Sequence, residues 1–203
     1  MKFEITCAEH KFDCTPFTLD EYQGLIEAKL NGTMAASLKA LLDRHVAPGL
    51  NLPKHQMEGI MLKLWVNSLG DVNQEKEYIC GCGKEHKVFL NYNYIDIPKE
   101  TGFEYDLGGI KLKLRYPKLF EDKNHINMVV SCITHVITEN QVIPIAELSE
   151  QEINDLYGTI TKEVIEDLVK ELLRPTISLG VPLDCGCPAY IIKGLPEFLS
   201  LVG

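Results

Sequence analysis

The chain has 203 residues, 45% hydrophobic and 24% charged, which is enough apolar material for one buried core or two small ones and argues against disorder. A formal charge of -9 opposes the counterion release behind nucleic-acid binding, and no segment clusters Lys and Arg with interleaved aromatics, so nucleic acid is not an expected partner. No run approaches the ~20 apolar residues that cross a bilayer and the start MKFEITCAEHKFD lacks the apolar core of a secretory signal, so a reducing cytosol without membrane contact is expected, with the seven cysteines as thiols or metal ligands.

Phe3 and Ile5 alternate with polar neighbours, turn near Glu9 and His10, and return through Phe12, which predicts a short hairpin. Thr18 and Glu21 have the spacing of a capping box, opening a helix that carries Leu25, Ile26 and Leu30. Thr33 repeats the start signal for a helix from Met34 to Val46 with Leu38, Leu41 and Leu42 on one face, stopped by Pro48 and Gly49. A third helix is predicted from Pro53 to about Leu69, where Met57, Ile60, Met61, Leu64 and Trp65 form one buried stripe and Gly70 closes the run.

Two extended segments follow, Glu77 to Cys80 and His86 to Tyr94, joined by CGCGKE into a hairpin whose tip carries two thiols. Alternation of Ile110, Leu112 and Leu114 with Lys111, Lys113 and Arg115 predicts a strand from Gly109 to Tyr116. Beyond Pro117, Ile126, Val129, Val130, Ile133 and Ile137 continue a helical stripe. Ser149 and Glu152 form a second capping box, with Leu148 and Ile153 as its staple, ahead of two helices that end before Pro175. The pairs Val164/Ile165, Leu168/Val169 and Leu172/Leu173 make a wide apolar stripe, suited to a helix wedged between neighbours. The tail is read as extended from Val181 to Asp184, then a second Cys-Gly-Cys, then a short apolar turn, GLPEFLSLV. The fold class is therefore α+β: helices packed with short antiparallel hairpins, the cysteine turns joining the N- and C-terminal halves. A division into 1–116 and 117–203 within one compact unit is expected, its softest joints being the Pro98 to Gly108 loop and the segment near Pro144.

Cys80-Gly-Cys82-Gly and Cys185-Gly-Cys187-Pro share one pattern, in which a strand leads in, two thiols flank a glycine and a turn-forming residue follows. A central glycine can take positive φ and let both sulfurs face one point, and four thiolates meet the tetrahedral preference of zinc. Cys80, Cys82, Cys185 and Cys187 are thus the candidate metal ligands for a structural zinc, with His86 as a substitute. The spacing of one residue rather than two departs from the usual knuckle. Plain thiols on glycine-rich turns, a redox dithiol, two separate sites, or a catalytic metal served by Glu85 and His86 are the competing readings. Cys7 and Cys14 flank His10 at a spacing that matches no knuckle and are expected to be one buried and one surface thiol; Cys132 is expected in the core. His125 and His135 do not share a helical face. No nucleophile elbow, phosphate loop, dinucleotide fingerprint or HExxH motif occurs, and Glu147, Glu150, Glu152 and Asp155 read as a solvated face, so no catalytic residue is assigned.

Four stretches in order carry a family likeness: CTPFTLDEYQGLIEAK (Cys14 to Lys29), LPKHQMEGIMLKLWVNSLGD (Leu52 to Asp71), GGIKLKLRYPKLF (Gly108 to Phe120) and CGCPAYIIKGLPEFL (Cys185 to Leu199). With the cysteine hairpin between them, they resemble the baseplate hub proteins of T4-like contractile-tailed phages. The resemblance implies a viral, non-enzymatic component that acts in the host cytoplasm to build the hub of the tail baseplate through contacts with other hub proteins. Such a component either stays in the virion or acts as a transient assembly chaperone. A zinc-dependent regulator or hydrolase is the rival of another class. The single-residue cysteine spacing departs from the wider pairs expected in the family and bears on metal occupancy. Trp65, Tyr92, Tyr94, Tyr116 and Phe198 are read as core residues before interface anchors.

Overall fold

The structure, a computed structural model, describes residues 2–70 and 72–202. The chain gathers into two compact units, the first comprising Met1–Asn51, His55–Lys99 and Thr176–Gly203, the second Leu52–Lys54 and Glu100–Pro175. The tail thus groups with the N-terminal residues, and residue 117 falls within the second unit.

The first unit starts with the hairpin β1 (Phe3–Cys7) and β2 (His10–Cys14), in register Phe3↔Cys14 to Cys7↔His10, which turns Ile5, Cys7 and Cys14 inward. Helix α1 (Leu19–Leu30) opens with the expected capping box: the Glu21 N–H donates to Thr18 Oγ1 at 3.2 Å, and the Thr18 N–H donates to Glu21 Oε2 at 2.9 Å. Helix α2 (Met34–His45) has Thr33 at its N-cap, but the Thr33 side chain makes no capping bond. Helix α3 (Lys54–Leu69) differs from the single stripe read in the sequence. His55, Gln56, Glu58, Leu62 and Val66 are buried along with Met57, Ile60 and Leu64, whereas Met61 and Trp65 are only half-buried. The helix is enclosed from several sides. The Cys7 thiol approaches the Gln56 carbonyl, the Gln56 amide donates to the carbonyls of Pro98 and Lys99, and Ile97 occupies the space where Gly59 has no Cβ. Strands β3 (Asn73–Ile79) and β4 (Glu85–Asn91) pair over their full length, with His86, Val88 and Leu90 buried and Glu85, Lys87 and Phe89 exposed.

The second unit is a four-stranded antiparallel sheet in the order β5-β6-β7-β8, backed by three helices. Strand β5 (Gly102–Asp106) runs through the segment expected as a loop, and β6 (Lys111–Arg115) is the strand predicted from alternation. Helix α4 (His125–Cys132) stops short of the predicted stripe, because Ile133–Ile137 forms β7 beside β6. Four of those five residues are β-branched, and pairing with an existing strand outweighs helical periodicity there. Strand β8 (Val142–Pro144) closes the sheet at the second expected joint. Helices α5 (Glu150–Thr159) and α6 (Lys162–Leu173) follow, α5 with the predicted Ser149–Glu152 capping box. The core joins Leu112 and Leu114 to Met128, Val129, Cys132, Ile133, Val136, Leu156, Leu168 and Leu172. A Cβ on Gly102 would press into the Leu114 carbonyl oxygen, so glycine is required for β5 to approach β6.

The chain then completes the first unit. Strand β9 (Ser178–Val181) pairs with β10 (Tyr190–Lys193), and Asp96 and Ser178 exchange both backbone hydrogen bonds, at 2.8 and 3.1 Å. The closing segment read as an apolar turn is a helix, α7 (Leu195–Val202), started by Gly194 at φ 76°. Its Phe198 is fully buried edge-on against Tyr92, and the Leu201 carbonyl accepts from Gln74 at 2.6 Å. Tyr116 is buried as expected, Trp65 is half-buried, and Tyr94 is exposed.

Beyond its capping role, Glu21 ties α1 to α2 by accepting from Arg44 and bonding His45 Nε2 at 3.0 Å. Burial opposes its charge, but the bonds from His45, the Thr18 backbone and Arg44 outweigh that and lower its pKa from 4.5 to about 2. A depressed folded-state value means the stabilisation is complete above 4.5 and is lost as pH falls towards about 2. Urea unfolding across that window is expected to show about 1–2 kcal/mol disappearing, after allowance for solvent screening. Glu21→Gln should be less stable at neutral pH and lack that component of the acid dependence; an identical acid profile would contradict the assignment.

Candidate metal centre

Each Cys-Gly-Cys sits at the end of a two-stranded hairpin. In the first, the Cys80 N–H donates to the Lys84 carbonyl at 3.1 Å and the Gly83 N–H to the Cys80 carbonyl at 2.9 Å, with Gly83 at φ 81°. In the second, which joins β9 to β10, the central Gly186 itself takes φ 77°. The positive φ expected at the middle of both motifs is therefore found only at Gly186; in the first turn it falls one residue beyond Cys82, at Gly83. Tyr78 of β3 stacks against Tyr190 of β10 with ring centroids 4.7 Å apart, and Lys76 Nζ lies 5.8 Å from the same ring. These contacts set the two hairpins side by side, so their tips meet.

All four predicted thiols come together. The sulfurs of Cys80, Cys82, Cys185 and Cys187 lie within 4.8 Å of one another, Cys80 being 2.8 Å from Cys82 and 3.5 Å from Cys185. Among the described residues this is the one cluster with metal-ligand geometry, and all its cysteines are free thiols. Cys80 is buried, Cys185 and Cys187 are half-exposed, and Cys82 is exposed. The Cys82 thiol, ahead of His86 and Cys185, lowers the Cys80 pKa by hydrogen bonding, against the opposing effect of burial. Cys82 is pushed up by Cys80, and Cys187 by Cys82, Cys185 and Cys80. Cys80 therefore gives up its proton readily while Cys82 and Cys187 resist losing theirs, the condition a cation relieves.

Two charged residues that the sequence reading passed over complete the surroundings. Asp184 bridges the turns: its Oδ2 accepts from Lys84 Nζ at 2.9 Å, and its Oδ1 lies 2.9 Å from His86 Nδ1. The available signal was position, since Asp184 directly precedes the second motif and Lys84 closely follows the first. His86 stands beside the cluster and is almost wholly buried, but it is outside the set of four ligand atoms.

The other candidates remain apart. Cys7 and Cys14 are both fully buried, which corrects the expected surface thiol: strand parity turns both inward, and burial pushes each pKa up to about 11. Cys132 lies in the second unit's core as expected, also pushed up to about 11 by burial. His125 starts α4 and His135 lies on β7, in separate elements.

Fold and site together define a small α+β protein organised in part around a tetrathiol cluster. Residues 1–200 match the family described as T4 bacteriophage base plate protein. The chain is 38% identical over 205 residues to the "Baseplate hub assembly protein gp26" of Enterobacteria phage T4, a match that covers 99% of this chain and 98% of that protein. The chain belongs to the T4 base plate protein family. No solved structure matches it. Among the described residues no helix is long and apolar enough to cross a membrane.

Burial and charge separate the thiols by reactivity. With a chelator present at neutral pH, brief iodoacetamide treatment should label the Cys80, Cys82, Cys185 and Cys187 cluster first, at the thiolate that the hydrogen-bonded Cys80–Cys82 pair shares, while Cys7, Cys14 and Cys132 stay unmodified until the chain unfolds. Peptide mapping checks this, and early labelling of the second group would contradict the fold.

Proposed function

We propose that this protein is a non-enzymatic assembly component of a phage tail baseplate hub, working in the host cytoplasm by binding other hub proteins, and that its four clustered thiolates hold a structural zinc ion. The observation that carries the assembly role is the match to a hub assembly protein over 99% of this chain and 98% of that protein. A non-enzymatic part fits the donor set, because four thiolates fill a tetrahedral shell and leave no position for a substrate or activated water.

The zinc assignment is supported by the sulfur positions. Zn–S bonds of ~2.3 Å in a tetrahedron place sulfurs ~3.8 Å apart, and the observed spacings, from 2.8 Å to within 4.8 Å, bracket that value. Because Cys80 and Cys185 are 105 residues apart in the chain, binding would close a long loop and its free energy would appear as folding stability. Cys80, Cys82, Cys185 and Cys187 would hold the ion; Asp184, Lys84 and His86 would fix the two turns around it.

Elemental analysis of the purified protein should find one zinc per chain, lost in Cys82→Ser combined with Cys187→Ser. Chelation should lower the melting temperature and speed hydrogen exchange first in residues 178–193. Absence of metal, with the double variant melting like the wild type, would remove zinc and leave the assembly role on the family match.

Deleting the gene from its phage should block formation of complete baseplate hubs, whereas normal hubs would reject the assembly role. Mass spectrometry of purified tails then separates a retained subunit, present in stoichiometric amount, from a transient chaperone, which would be absent.

A further inference from the structure

Helices α1, α2, α3 and α7 of the first unit enclose a cavity of about 240 Å³. Tyr22, Ile26, Leu41, Met61, Trp65 and Leu199 are among its walls, and Lys29 is the sole charged residue lining it. An apolar cavity of ~150 Å³ already holds a benzene-sized group, so this one has room for a large side chain. Trp65 stacks obliquely on Tyr22, and its indole N–H is buried without a partner among the described residues. Buried indole N–H groups ordinarily find an acceptor, and leaving one unmade is costly.

The outer surface of α1 continues this apolar lining. Leu19 and Leu30 are 73% and 81% exposed, and Ile26, which also lines the cavity, is about half exposed. At 100° per residue these three fall within ~40° of one another, along ~16 Å of helix. The far flank of the stripe carries Asp20 and Glu27, both exposed; neither has an ion-pair partner among the described residues, and the Glu27 carboxylate accepts from Gln23. Cavity, stripe and carboxylates form one continuous surface.

We propose that this surface docks an amphipathic helix of another protein, with a bulky apolar anchor in the cavity, an apolar face along Leu19, Ile26 and Leu30, and Lys or Arg residues beside Asp20 and Glu27. A small apolar molecule would fill the cavity and leave the stripe in water. A second copy of this chain, with its α1 antiparallel about a two-fold axis, would set the same carboxylates against each other. A helix with a basic flank satisfies both the length of the stripe and its charge. The proposal builds on the assembly role by assigning it a surface and a kind of partner.

Trp65 is the chain's single tryptophan, so its fluorescence reports on the cavity wall directly. The full-length protein is titrated with a tryptophan-free helical peptide bearing Leu and Phe on one face and Lys on the flanks, and with a control in which Glu replaces Lys. A saturable change in Trp65 emission with the basic peptide is expected, weaker by about tenfold or more in Ile26→Glu combined with Leu30→Glu, which alters exposed positions and spares the core. Asp20→Lys with Glu27→Lys should shift the preference to the acidic control. No saturable change, equal affinity for both peptides, or an unaffected stripe variant would overturn the proposal. In the phage, normal hub formation by the stripe variant when the gene deletion blocks it would also overturn it while leaving the assembly role standing; normal hubs after deletion would remove the assembly role itself.

Discussion

The first unit depends on the side-by-side docking of β3–β4 and β9–β10. The stacked Tyr78 and Tyr190 rings, the Lys84–Asp184 ion pair and the Asp184–His86 contact all span segments about a hundred residues apart in the chain. Bringing such distant segments together carries a loop-closure cost that local contacts do not meet, although that cost grows only slowly with length. Exposed ion pairs contribute little, on the order of 0–1 kcal/mol. The aromatic contact and the burial of Phe198, Ile177 and Leu179 therefore supply most of the attraction, and the charged groups choose the register.

That register decides the chemistry. Once the hairpins are aligned, four sulfurs occupy one small volume. The thiols then alter their neighbours' acidity, so that Cys80 gives up its proton easily and Cys82 and Cys187 hold theirs. By contrast Cys7, Cys14 and Cys132 have no such company, and desolvation by burial is the main cause that keeps them protonated and inert.

Local signals were legible in the sequence where the physics is local. Both capping boxes were readable because they need only residues three apart. The repeated Cys-Gly-Cys pointed to the thiol cluster that the structure brings together, although the two turns differ in where the backbone takes positive φ. Tertiary choices were not legible. Ile133 to Ile137 fits a helix by spacing and becomes a strand because β6 offers a partner. Burial of both Cys7 and Cys14 follows from hairpin register and the covering α3, neither of which spacing fixes. The final helix was hidden by its Gly-Leu-Pro start, although a proline in a first helical turn costs nothing in hydrogen bonding.

The backbone pair between Asp96 and Ser178 holds the chain's departure from the first unit beside its return. Residues 100–175, the larger part of the second unit, are therefore entered and left through chain segments that the first unit itself pairs. Segments attached this way can lengthen, shrink or be exchanged while the host's own ladder of contacts stays intact.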